Sequence, residues 1–178
     1  MRNKSVKEIV ISGLFIALGV ILPIVFHAFG SGSTFLPMHI PVFIAGFLLS
    51  LPFAFAVGAI TPILSSLFTG MPPVFPVLPF MVFELATYGI VVNIMYRKFK
   101  LNVYVSLVSS MIIGRIISSI VVWGLVTFFM AKLPSPIVFI TGGIIQGIPG
   151  IVIQIIFIPV IILALQKYNL IKKEGVAF

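Results

Sequence analysis

Long apolar segments, separated by short breaks of glycine, proline and polar residues, occupy nearly the whole chain. Hydrophobic residues make up 61% of the sequence and charged residues 8%, against roughly 45–50% and about 25% in soluble domains. A helix of about 20 apolar residues crosses the hydrocarbon core of a bilayer. The 178 residues therefore predict an all-α integral membrane protein, with one transmembrane domain over residues 1–178 and no separate aqueous domain.

Six apolar segments are separated by polar or helix-breaking residues, and each is a candidate membrane span. The second and third segments are almost continuous, and Pro52 favours a turn between them because proline is tolerated in the first turn of a helix. Pro62 falls inside the third segment, where the loosened backbone requires a buried neighbour. The predicted spans are residues 6–29, 37–51, 52–69, 76–96, 101–130 and 137–166.

The formal net charge is +8, but the basic residues are clustered in a way that indicates topology rather than a nucleic-acid partner. With six spans and a cytoplasmic N-terminus, all three clusters face the cytoplasm, as the positive-inside rule expects, whereas five or seven spans would divide them. We therefore predict a six-transmembrane-helix bundle with both termini cytoplasmic. The clusters are Arg2, Lys4 and Lys7; Arg97, Lys98 and Lys100; and Lys167, Lys172 and Lys173, with Lys132 alone outside.

Arg115 lies near the middle of the fifth span, in the apolar stretch SLVSSMIIGRIISSIVVWG. A charge at that depth is costly, about 2.5–3.5 kcal/mol even on lenient scales, so it requires a partner. Glu84 lies ~12 Å from the outer end of the fourth span, at about 1.5 Å per residue, and the sequence offers no other deep acid or base. Two alternatives remain open at this stage: a buried ion pair that fixes two helices together, or two charges that flank a polar ligand.

Other polar residues extend this constellation. Gln146 is expected at the depth of Glu84, and His39 begins the second span, where it either caps the helix or contacts a ligand. Ser119 and Trp123 follow Arg115 at intervals of four residues, on one helix face. Trp123 suits either the membrane interface or stacking on a ligand ring. The predicted substrate-binding residues are His39, Glu84, Arg115, Ser119, Trp123 and Gln146.

The sequence does not indicate an enzyme. It contains no zinc-protease motif, no carboxylate dyad and no glycine-rich phosphate loop, and it has no cysteine for thiol or disulfide chemistry. We predict no catalytic residues, no metal and no bound cofactor. An acid, a base, an amide and aromatic side chains together favour capture of a small polar molecule.

Two stretches resemble a known family. FLPMHIPVFIAGFLLSLPFAFAVGAITPILSSLFTGMPP, which begins at Phe35, and FELATYG, which begins at Phe83, are similar to the substrate-binding S components of energy-coupling factor (ECF) vitamin transporters. In that family an Ala-x-x-x-Ala motif on the first helix docks on a membrane coupling subunit that holds two ATPases. The matching stretch here is GLFIA, so the resemblance makes Gly13 and Ala17 the docking residues.

The resemblance also implies how such a chain works. A small water-soluble vitamin is held near the outer side by the first loop and by the fourth, fifth and sixth helices. ATP hydrolysis by the partner subunits then topples the S component and releases the vitamin inside. The implied location is the bacterial cytoplasmic membrane, with the chain crossing it several times. A vitamin B6-type compound such as pyridoxine is the first candidate, with pantothenate or another vitamin precursor as the alternative.

Two readings from other classes remain. A stand-alone small permease would transport without ATPase partners, although one buried acid and base do not provide a polar path through the inner half of the membrane. A structural membrane subunit would use Glu84 and Arg115 for packing and would bind no small molecule.

Overall fold

Helices form every regular element among the described residues of the computed structural model, which are residues 2–28, 30, 32–129, 133 and 135–168. Phe29, Met130, Lys132, Lys172 and Lys173, on which parts of the topology argument rest, lie outside the described residues. The all-α prediction is confirmed for the described part. The elements are α1 (Arg2–Ala28), α2 (Gly32–Phe35), α3 (His39–Leu48), α4 (Leu51–Thr69), α5 (Val77–Asn93), a π-helical turn (Ile94–Lys98), α6 (Val103–Phe129) and α7 (Pro136–Lys167).

Five of these helices are long and apolar enough to cross a membrane, which makes the chain a multi-pass membrane protein. The membrane-length segments are Ser5–Phe26, Leu51–Thr69, Val77–Lys98, Val103–Phe129 and Ile137–Lys167.

Helix α3 differs from the span predicted for residues 37–51. It has 10 residues, or about 15 Å at 1.5 Å per residue, which is roughly half of the hydrocarbon thickness. The extended backbone at Leu49 and Ser50 ends the helix, and α4 begins at Leu51 with a proline in its first turn. The turn predicted at Pro52 is therefore present, and it leaves α3 shorter than its neighbours.

Helix α3 lies in the centre of the bundle, in contact with α1, α4, α5 and α7. Val42, Phe43 and Phe47 are fully buried, and every residue of α3 except Ile40 is buried. A helix that protein covers on all sides reads as continuously apolar. This is why its sequence resembled that of a lipid-crossing helix.

Glycines allow α4 and α5 to cross in backbone contact. A Cβ atom at Gly58 would lie 2.4 Å from the carbonyl oxygen of Leu85, and one at Gly89 would lie 2.5 Å from the carbonyl oxygen of Ala54. Small residues at helix crossings allow such close approach in membrane proteins. Pro62 is buried within α4, which agrees with the expectation that it needs a protein neighbour rather than lipid.

We expect Gly58→Ala to lower the free energy of unfolding by about 1–3 kcal/mol or more, because the new methyl group would overlap backbone atoms that cannot move aside. Gly124→Ala is the matched control. It is also in a helix interior, but a Cβ there meets nothing within 4 Å, and alanine favours the helix by about 0.5–1 kcal/mol. Thermal unfolding in detergent would measure both variants. Equal midpoints would contradict the close crossing.

Candidate functional site

A cavity of about 620 Å³ lies at the end of the bundle where α1 stops and α3 starts. One wall comes from the segment before α3 and another from the loop between α4 and α5. The first turns of α5 and the first half of α7 complete the enclosure, with Phe80 and Phe139 in edge-to-face contact at a centroid distance of 4.8 Å. Apolar walls with a few polar groups are typical of small-molecule sites.

Arg115 and Glu84 form an ion pair, which is one of the two arrangements that the sequence left open. Arg115 Nη1 lies 3.2 Å from Glu84 Oε1, and the hydroxyl of Tyr88 donates a hydrogen bond of 2.5 Å to the same oxygen. Glu84 and Tyr88 are both 2% exposed. A buried carboxylate with two donors is satisfied, so the charge is compatible with its depth.

Tyr88 is a residue of this network that sequence analysis missed. Its ring lies 4.7 Å from Phe43 and 5.5 Å from His39, between centroids. The other side of the Tyr88 ring packs against Gly114 of α6. Any larger residue would collide with the ring there, because a Cβ atom at this position would lie 2.1 Å from Tyr88 Cε1. The available signal was the i, i+4 spacing from Glu84, which places both side chains on one helix face.

The two members of the ion pair differ in their relation to the cavity. Arg115 lines it, and a Cβ at Gly143 of α7 would lie 3.3 Å from Arg115 Nη1. Glu84 lies behind Arg115 and does not line the cavity. Arg115 is therefore the charged group that a molecule in the cavity meets first.

His39 and Gln146, which the sequence suggested as substrate-binding residues, also line the cavity. His39 is 4% exposed, and its Nδ1 atom has no hydrogen-bond partner among the described residues. An unsatisfied buried nitrogen is costly.

Ser119 and Trp123 are placed elsewhere. Ser119 is buried and its hydroxyl donates to the carbonyl oxygen of Arg115 within α6, at 2.8 Å. Trp123 is 55% exposed and contacts Phe128 at a centroid distance of 6.3 Å. Neither residue lines this cavity.

Besides the central pair, one further acidic side chain is buried in the described part of the protein, nearer the end of a helix. Glu8, near the start of α1, is 7% exposed. It was overlooked because it falls next to a basic cluster at the predicted membrane surface.

Two serines of α4 hold the loop that forms one cavity wall. Ser65 donates to the carbonyl oxygen of Met71 and Ser66 to that of Pro72, both at 2.7 Å. Gly70 ends α4 in the left-handed conformation, with φ of 72°, which favours glycine. The proline-rich loop is thus fixed against its own helix.

A second cavity, of about 320 Å³, lies between α6 and α7. It shares Leu36, His39 and Arg115 with the first cavity, so these three side chains separate the two spaces. Most of its other walls are isoleucine, valine and methionine side chains.

The electrostatics of the first cavity favour a negative group. The N-termini of α3 and α5, at His39 and Val77, both lie in its lining. Helix N-termini carry partial positive charge from aligned peptide dipoles. Together with Arg115 they offset the negative charge of Glu84 at the cavity surface.

Gly13 and Ala17 lie on the opposite side of α1 from the bundle interior. Both are exposed, and a Cβ at Gly13 would meet nothing within 4 Å. A flat exposed surface of small residues on a membrane helix allows another helix to approach closely.

These features define a multi-pass membrane protein with an apolar cavity, a few convergent polar groups and a flat helix face. The sequence model of the family described as "ECF transporter, substrate-specific component" matches residues 7–162. The chain belongs to this family. It is therefore a membrane substrate-binding subunit of an ECF transporter and not an enzyme, and the family implies a small-molecule substrate and an ECF module as partner. No match is found among curated proteins or solved structures.

We expect Arg115→Met and Glu84→Gln each to lower the free energy of unfolding by about 3–5 kcal/mol, because each leaves one buried charge without its partner. The double variant should recover most of this loss. Lys98→Met is the control, since Lys98 is exposed and such changes usually stay within about 0.5 kcal/mol. Thermal unfolding of the four variants would measure the coupling, and additive losses would show that the pair contributes nothing.

Proposed function

We propose that the first cavity captures a small water-soluble vitamin from outside the cell and delivers it inward with a membrane coupling subunit and two ATPase subunits, which use the ATP. The observation that carries this proposal is the convergence of Arg115, His39 and Gln146 on one apolar cavity. The family supports the transport role and the need for partners.

In this proposal the protein lies in the bacterial cytoplasmic membrane, crosses it with six spans in a single domain, and has both termini in the cytoplasm. In this arrangement α3 occupies only part of the membrane depth and is enclosed by protein. The cavity then opens outward, because it lies at the end of α1 opposite its basic N-terminus.

Two vitamins are candidates for the substrate. Pyridoxine was favoured on the sequence because Glu84 could hold the ring nitrogen, but Glu84 lies behind Arg115 and is 2% exposed. Pantothenate carries a carboxylate, and an arginine–carboxylate contact is the stronger single interaction. The two helix N-termini at the cavity also support an anionic ligand. The geometry therefore supports pantothenate over pyridoxine.

A ligand carboxylate at Arg115 would compete with Glu84 for the guanidinium. Arg115 has several donors, and Tyr88 remains as a donor to Glu84 if Arg115 turns toward the cavity. A bound carboxylate and Glu84 can thus share Arg115, whereas complete transfer of the guanidinium to the ligand would leave the buried Glu84 with the Tyr88 hydroxyl alone.

We expect pantothenate to raise the thermal unfolding midpoint of the purified protein more than pyridoxine or any other water-soluble vitamin, because only the folded state binds it. Trp123→Phe is the control, since Trp123 does not line the cavity, and it should keep the response. His39→Phe should abolish it, because a phenyl ring cannot pair with the ligand. A larger response to pyridoxine would reverse the order of the candidates, and no response to any vitamin would refute capture of this class.

We expect both chain ends to face the cytoplasm. A fluorescent protein that folds only inside the cell should be bright when fused to either terminus, and alkaline phosphatase, which is active only outside, should be inactive there. A phosphatase inserted after Gly70, in the loop that lines the cavity, should be active. The opposite pattern at one terminus would refute an even number of crossings.

A further inference from the structure

Glu8 is a buried carboxylate at the end of the bundle opposite the cavity. Its Oε2 atom accepts a hydrogen bond of 2.5 Å from the hydroxyl of Ser50. Ser50 precedes α4, yet its hydroxyl makes no capping bond to that helix and is directed to Glu8 instead. A negative charge near a helix N-terminus is favourable. The contact therefore ties the first turns of α1 to the turn between α3 and α4.

Helix α5 holds the same turn from the other side. Asn93 Nδ2 donates to the carbonyl oxygens of Gly46 and Leu49, at 2.9 and 2.7 Å. Arg97 Nη1 also donates to the carbonyl oxygen of Leu49. These bonds satisfy carbonyl groups that the end of α3 leaves without helical partners. The turn is thus fixed by α5 at Leu49 and by α1 at Ser50.

Helix α3 connects this turn to the cavity. Its first residue, His39, lines the cavity, and its last carbonyl groups belong to the fixed turn. The helix is buried along its length and has no loop or proline break between Val42 and Leu48. Helix α3 therefore links the cavity, at His39, to the turn that Glu8 contacts.

Helix α1 has two faces with different neighbours. Glu8, Ser12 and Phe15 are buried against the bundle, whereas Gly13 and Ala17 are exposed. At about 100° per residue, Glu8 and Gly13 point in directions that differ by about 140°. Glu8 therefore does not belong to the exposed face of α1. Its contact with Ser50 instead bears on where α1, which carries that face, lies in the bundle.

We propose that Glu8 is a positioning residue for partner docking. Through Ser50 it holds α1 so that the face of Gly13 and Ala17 has the position relative to α3 that the coupling subunit recognises. This inference rests on the proposed function, because it takes Gly13 and Ala17 as the docking face. Loss of the contact impairs association with the partners while the cavity keeps its shape, since the cavity lies at the other end of α3.

The experiment is co-purification of the full-length protein with the coupling subunit and ATPases of its own cell. Glu8→Ala should reduce the amount of complex recovered, because loss of the bond to Ser50 lowers the population of molecules in which α1 is held in the docking position. Glu8→Gln keeps an acceptor for Ser50 and should restore most of the complex. Ser12→Ala is the control on the same buried face, because its hydroxyl bonds only to the backbone oxygen of Glu8 among the described contacts.

Thermal unfolding of each isolated variant separates docking from folding. If Glu8→Ala does not fold, Ser50→Ala removes the same hydrogen bond while keeping the carboxylate, and it should also reduce the complex. The role of Glu8 would be overturned if Glu8→Ala or Ser50→Ala co-purified with as much of the partner complex as the unchanged protein, while Gly13→Leu abolished co-purification. Full complex with Gly13→Leu and Ala17→Leu would instead refute the docking face, and with it the proposed function on that point.

Discussion

A charge inside membrane-length helices must be met by another group, because hydrocarbon offers it no hydration. Arg115 meets this requirement with Glu84 on α5 and lies against Gly143 on α7. The contact therefore joins the three helices that surround the cavity. The hydroxyl of Tyr88 donates a second hydrogen bond to Glu84. The Tyr88 ring packs on Phe43 of α3, so α3 also contacts this group of residues. The pair thus fixes α5 and α6 beside the cavity, while Ser65 and Ser66 hold the loop that forms another wall.

The two members of this ion pair are not equally accessible from the cavity. Glu84 is enclosed by protein, whereas Arg115 faces the open space together with the N-termini of α3 and α5. A ligand thus meets donors and partial positive charge first. The apolar side chains around these groups provide contact area, and His39 lines the same space at the start of α3. Capture and release of a small molecule would then depend on how Arg115 divides its hydrogen bonds between Glu84 and the ligand.

Helix α3 relates this site to the rest of the molecule. Its helical part is shorter than the hydrocarbon is thick, but it is covered on every side and extends from the cavity to the turn that Glu8, Asn93 and Arg97 hold. The exposed face of α1, which carries Gly13 and Ala17, lies on the side of that helix that faces away from the bundle interior. The cavity and the exposed face of α1 are therefore separated in space, and one buried helix leads from the cavity to the end of the bundle where Glu8 lies.

The sequence by itself determined the class of fold and singled out Arg115 and Glu84 as deep charges that each need a partner, while leaving open whether that partner is the other residue or a ligand. Apolar runs without charges leave only membrane helices, and because deep charges are scarce, Arg115 and Glu84 are each a candidate for the other's partner. It did not reveal that α3 is short, because a helix buried in protein is as apolar as one in lipid. It also did not separate His39 and Gln146, which line the cavity, from Ser119 and Trp123, which do not. Which side chains line the cavity depends on how each helix is rotated and on how closely helices cross at glycines. These features, like the pairing of Glu8 with Ser50, are decided only by the tertiary packing.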